Sequence, residues 1–73
     1  MNYAIEQRMR FIDFLLLKYG KINRDFIVDY FGIGEATATR DFKKYKELYP
    51  KNIVFDNSSK MYLKAPLFER AYT

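Results

Sequence analysis

The chain has 73 residues with no cysteine and no histidine, which limits it to one domain and excludes disulfides and the usual zinc ligand sets. Thirteen Lys and Arg against nine Asp and Glu leave a net charge of +4, which permits a nucleic-acid partner without identifying one. With no apolar run long enough to span a membrane and no secretory signal pattern, the expectation is a cytoplasmic protein.

The first predicted element is a helix from Tyr3 to Tyr19. Ile5, Met9, Ile12, Leu15 or Leu16, and Tyr19 recur at spacings of three and four, the helical period. Glu6, Arg8, Arg10, Asp13 and Lys18 fill the other face, and Gly20 suits a left-handed C-terminal cap. Phe11 and Phe14 widen the apolar arc, which predicts contacts on two sides. Lys21-Ile22 is too short for a helix and is expected to pair as a minimal edge strand.

Asn23 is a favourable N-cap for a second helix, with Asp25 in its first turn. That helix runs through Phe26, Ile27, Tyr30 and Phe31 to Gly32. Gly32-Ile33-Gly34 reads as a tight turn, with Ile33 available to plug the core. A third helix is expected from Glu35 to Tyr49, stopped by Pro50. Its buried stripe is Ala38, Phe42, Tyr45 and Leu48 or Tyr49. Ile53-Val54-Phe55 and Lys60-Met61-Tyr62-Leu63 then flank the turn formers Asp56-Asn57-Ser58-Ser59, a β-hairpin pattern. The tail from Ala65 carries Leu67, Phe68 and Tyr72 and is too apolar to be only a solvated linker.

The predicted fold is mainly α with a small β-hairpin: a winged helix-turn-helix of three helices plus wing. Residues 1–64 are expected to form the domain, and 65–73 to pack on it or to dimerise. Seven Phe and seven Tyr exceed what so small a core readily buries. Tyr3, Phe11, Phe14, Phe68 and Tyr72 have a core reading that covers most of them, and the termini together are expected to form a homodimer surface.

The third helix carries the functional expectation. Opposite its buried stripe lie Ala36, Thr37, Thr39, Arg40, Lys43, Lys44 and Glu47. Small and hydroxylated residues come first and long basic ones follow, as suits a helix whose N-terminal turn enters the major groove deepest. Ala36 allows close approach. Thr37 and Thr39 can bond a base edge or touch a thymine methyl, and Arg40 reaches guanine or a phosphate. Lys43 and Lys44 suit phosphates on the groove walls. The bland reading of this run is a solvated helix face; its place between a glycine turn and a hairpin favours double-stranded DNA. Arg24 is either a phosphate contact beside the second helix's amides or an exposed charge near the cap. The wing is either a plain turn or a minor-groove or backbone contact, with Asn57, Ser58 and Ser59 as hydrogen-bonding groups and Lys60 as the cation. Asp41 reads as a structural partner for a base on the first helix or the wing.

The segment from Phe31 to Phe42 resembles the helix-turn-helix core of bacterial DeoR-type repressors, which place a small apolar residue shortly before an Arg-Asp pair. The chain as a whole is more similar to the N-terminal winged domain of WYL-domain transcriptional regulators, including those of phage-defence loci. Ile22-Asn23-Arg24, Phe55-Asp56 and Lys60-Met61-Tyr62, with the following Ala65-Pro66-Leu67-Phe68, carry that resemblance. Gly34 stands where the pattern usually has Ser, so the third helix lacks a side-chain cap. The resemblance implies a sequence-specific DNA-binding repressor. Because no WYL effector segment follows, the chain is expected to be either a domain of a longer protein or a free-standing binder.

Two other functions use the same fold: an excisionase-like or architectural accessory factor of a mobile element, and a protein-interaction domain acting as an inhibitor. An enzyme is not expected, since there is no Cys, His or phosphate-binding glycine loop. No cofactor, metal or small-molecule ligand is expected.

Overall fold

A computed structural model describes residues 2–72. Met1 and Thr73, the outer limits of the expected domain and tail, lie outside the described residues. Three helices carry most of the chain: α1 (Tyr3–Tyr19), α2 (Arg24–Phe31) and α3 (Glu35–Leu48). Three short strands, β1 (Lys21–Ile22), β2 (Ile53–Asp56) and β3 (Met61–Lys64), form one antiparallel sheet in the order β1-β3-β2. The expected edge pairing is present: Lys21 faces Leu63 and Ile22 faces Tyr62. None of the helices is long and apolar enough to cross a membrane.

Local chemistry sets the boundaries. The Asn2 side chain accepts from the Ile5 amide, and the Asn23 side chain from the Asp25 amide, each satisfying a donor that the helix itself cannot. Gly20 and Gly32 end α1 and α2 with φ of 77° and 65°, a region open to glycine at little cost. Gly34 caps α3 in an extended conformation with no side-chain bond, as its lack of a hydroxyl requires.

Met9, Ile12, Leu15 and Leu16 of α1, Ile22, Ile27 of α2, Ala38, Phe42 and Tyr45 of α3, and Ile53 form one core cluster. Ile33 packs against it from the turn. Four sequence expectations need correction. Leu48 is 43% exposed, and α3 ends there with Tyr49 as its cap; Tyr49, not Leu48, extends the stripe inward. Tyr19 is exposed rather than part of the α1 stripe. Asp13, expected on the solvated face, is 1% exposed. The hairpin is also displaced by one residue: Asp56 belongs to β2, and Lys60 lies in the turn with φ of 61°.

Asp13 is buried because its charge is fully met. One carboxylate oxygen accepts from the Tyr45 hydroxyl at 2.6 Å, and the two oxygens together accept from the backbone amides of Ala71 and Tyr72 at 3.1–3.2 Å. Asn52 holds the tail from the other side. Its amide donates to the Glu69 carbonyl at 2.7 Å and to the Tyr45 hydroxyl oxygen at 3.1 Å, and its carbonyl accepts from the Glu69 amide at 2.9 Å. The Tyr49 and Tyr72 hydroxyls meet at 2.9 Å. Residues 69–72 are thus tied to Asp13 of α1 and to Tyr49 and Asn52 just beyond α3, by hydrogen bonds as well as by apolar burial. The Asp41 carboxylate is bound by the Arg8 guanidinium, with one bond at 3.2 Å and a shorter one through Nε. That pair joins α1 to α3, as expected for Asp41.

Candidate nucleic-acid interface

Packing decides which face of α3 is free. Ala38, Asp41, Phe42 and Tyr45 are buried, so the remaining face points outward by the helical period. Ala36, Thr39, Arg40, Lys43 and Lys44 are exposed there, and Thr37 is half-buried. The expected residues therefore occur together on one outward surface. Glu35 lies in the first turn of α3.

Arg24, read from the sequence as a phosphate contact or an exposed charge near the cap, is held in an ion pair at the surface. Its guanidinium donates to the Glu35 carboxylate at 2.6 Å and to the Thr39 hydroxyl oxygen at 3.0 Å. It therefore ties the start of α2 to the first turns of α3. Arg40 makes a looser contact, donating to the Thr37 hydroxyl oxygen at 3.3 Å.

The wing is fixed to α3 by aromatic contact. Phe42 and Tyr62 lie nearly parallel, with ring centroids 3.9 Å apart and 2° between their planes, and Phe55 tilts onto Tyr62 from the neighbouring strand. Offset or tilted rings add to the stabilisation that their buried area supplies. Burial pushes the Tyr62 hydroxyl above its ordinary pKa, and the nearby Arg24 charge partly opposes that shift. At the hairpin tip the Ser59 hydroxyl and amide both donate to Asp56, which holds that carboxyl below its usual range. Ser59 is thus committed to the turn, whereas Ser58 and Lys60 are exposed.

Between α2, α3 and the wing runs an open groove of about 410 Å³, lined by Asn23, Arg24, Asp25, Thr39, Phe55, Ser59, Lys60 and Tyr62. Cations from two elements, Arg24 and Lys60, line the same groove as a threonine of α3. Sequence reasoning misses the part played by Glu35, because it treats Arg24 and Glu35 as separate helix starts. A basic residue opening one helix and an acidic one opening the next, across a three-residue turn, is the available signal.

A family model described as the BrxR transcriptional regulator winged helix-turn-helix domain matches residues 4–73. The chain is also similar to proteins named DNA-binding transcriptional repressor CapW. It is 40% identical to the one from Escherichia coli strain KTE188 over 71 residues, which is 97% of this chain and 24% of that protein. It is 33% identical over 71 residues to that of Pseudomonas aeruginosa, again 97% of this chain and 24% of the relative. For that of Stenotrophomonas maltophilia the identity is 35% over 69 residues, covering 94% and 23%. The chain spans about a quarter of the length of these relatives.

Proposed function

Because the chain belongs to the BrxR transcriptional regulator winged helix-turn-helix family, we propose that it binds double-stranded DNA sequence-specifically and represses transcription, with α3 in the major groove. The single observation that carries this reading is the outward face of α3: Ala36, Thr37, Thr39, Arg40, Lys43 and Lys44 lie opposite a buried stripe. The similarity to proteins named as DNA-binding repressors supports it.

Within that reading, Thr37 and Arg40 face base edges, and Lys43 and Lys44 meet phosphates. Lys60 and Ser58 bring the wing to the backbone. Repression follows from occlusion of a promoter, in the cytoplasm where the DNA is. A homodimer places two copies of α3 on a palindromic site, one helical turn apart. Exposed Tyr3 and Phe14 support a surface for the second copy. Phe11 is instead drawn into contacts with Phe26, Tyr30 and Phe31.

The test is selection of bound duplexes from a random pool, followed by affinity against salt. An inverted repeat and a steep salt dependence are expected. Lys43→Ala and Lys44→Ala should each weaken all sites alike and lower the salt slope by about 1, whereas Arg40→Ala should relax preference at one base pair. A direct repeat beside a recombination site would favour an accessory factor, and absence of enrichment would favour a protein-binding domain.

A further inference from the structure

Thr39 lies on the exposed face of α3 and lines the groove beside the wing. Its hydroxyl oxygen accepts from one terminal nitrogen of Arg24 at 3.0 Å, while the other terminal nitrogen is held by Glu35 at 2.6 Å. A guanidinium has donors only. At this contact the threonine oxygen must accept, so its proton points elsewhere. Among the described residues no hydrogen bond gives that proton a protein acceptor. Thr37 differs. Its arginine partner, Arg40, stands 3.3 Å away and belongs to no ion pair among the described residues. Arg40 can leave for DNA and free the Thr37 hydroxyl to donate or accept.

We propose that Arg24, clamped by Glu35, fixes Thr39 as a hydrogen-bond donor toward the duplex. Arg24 takes one lone pair and leaves the proton unengaged, so the bond Thr39 is set to make is donation to an acceptor, on a base edge or a phosphate oxygen, in preference to acceptance from a cytosine or adenine amino group. The proposal rests on the DNA-binding reading and deepens it. Arg24 and Glu35 act as positioning residues. Glu35 supplies a negative charge that repels phosphates, and in return holds the donor polarity of Thr39. The major groove offers acceptors at purine N7, guanine O6 and thymine O4, and donors at the cytosine and adenine amino groups, so hydroxyl polarity converts directly into base preference.

The test compares the wild-type 73-residue chain with Thr39→Val, Thr39→Ser and Glu35→Ala, each first checked for a normal melting transition. The duplex is the one recovered by pool selection. It is edited one atom at a time, with 7-deazapurines for N7, 2-aminopurine for guanine O6, 4-thiothymine for thymine O4 and methylphosphonates for phosphate oxygens. The wild type should lose on the order of fivefold in affinity at one edited atom, the scale of a single hydrogen bond. Thr39→Val should lose that sensitivity and Thr39→Ser should keep it. Glu35→Ala should shrink it while total affinity holds or rises.

Sensitivity to an edited base assigns the acceptor to the base edge, and sensitivity to a methylphosphonate assigns it to the backbone; either supports the proposal. It is overturned if Thr39→Val keeps every wild-type sensitivity or if Glu35→Ala leaves the pattern unchanged. A pool that yields no enrichment with a normally melting chain overturns the DNA-binding reading and this proposal together. That outcome is distinct from the others, which all require a bound duplex.

Discussion

Tyr45 donates its hydroxyl proton to Asp13 at 2.6 Å. Through this bond α3 is tied to α1 at the same carboxylate that receives the tail amides of Ala71 and Tyr72. A single buried charge therefore joins three parts of the chain. Exchanging the carboxylate for a carboxamide would set an NH2 group among donors. Asp13→Asn should lower stability by about 2–4 kcal/mol, since a buried acceptor is lost and donors are left unpaired. Tyr45→Phe should cost less, about 1–2 kcal/mol, because two backbone amides still face the carboxylate. Thermal melts followed by circular dichroism measure both. A loss below about 1 kcal/mol for Asp13→Asn would show that the network is dispensable.

Alkaline conditions should destabilise the fold. Burial and the bond to Asp13 push the Tyr45 hydroxyl well above its ordinary pKa. Burial and the bond to Tyr49 do the same for Tyr72, and burial raises Tyr62. The folded chain therefore keeps protons that the unfolded chain releases near a pH of about 10. The contribution of these tyrosines is flat below that value and falls as pH rises through it, because the native state then binds more protons. Urea midpoints on either side of that value, at about pH 8 and about pH 11, should show the decline, and Tyr45→Phe should flatten it. A midpoint that does not move between the two would refute this account.

The Arg8–Asp41 pair predicts strong non-additivity. Both side chains are nearly buried, at 13% and 6% exposure. Asp41→Ala leaves the guanidinium without its counter-charge and should cost about 3–5 kcal/mol. Replacing both, as Arg8→Met with Asp41→Leu, should cost clearly less than the two single changes combined. A double-mutant cycle by denaturant titration gives the coupling, and a value near zero would remove the pair from the account of stability.

Gly32 and Gly34 should respond oppositely to a side chain. Neither has an atom within 4 Å of an added Cβ, so the backbone alone decides. Gly32 has φ of 65°, and Gly32→Ala should cost about 1 kcal/mol. Gly34 has φ of −78° at the N-cap of α3, and Gly34→Ser should add a few tenths of a kcal/mol by bonding a free helix amide. Equal effects at the two glycines would contradict the assignment of the turn.

The helices are legible in the sequence because their caps are local. Asn23, Gly20 and Gly32 act on neighbours within four residues, and such signals survive in one dimension. The outward face of α3 is legible for the same reason: helical period and charge place Arg40, Lys43 and Lys44 opposite Phe42. Asp13 is not legible. A carboxylate on a helix otherwise reads as solvated, and its partners lie 32, 58 and 59 residues away. Leu48 misleads because two apolar neighbours, Leu48 and Tyr49, compete for one inward position. Tyr49 takes it because its ring meets Tyr45 and its hydroxyl reaches Tyr72. The pairing of Arg24 with Glu35 depends on how α2 is set against α3, which the turn's length alone does not convey.

The bonds from Asp13 to the tail also govern the order in which the domain can be completed during synthesis. Chains emerge from the ribosome N-terminus first, over seconds. Helix α1 is available early, yet its buried carboxylate waits for an amide 58 residues downstream. Strand β1 waits in the same way for β3. A nascent chain halted before Ala71 would hold its helices around a carboxylate met by Tyr45 alone, with the backbone amides of the tail still to be supplied. Closure of the domain thus comes with residues 71 and 72, all at once, rather than in the order in which the message is read.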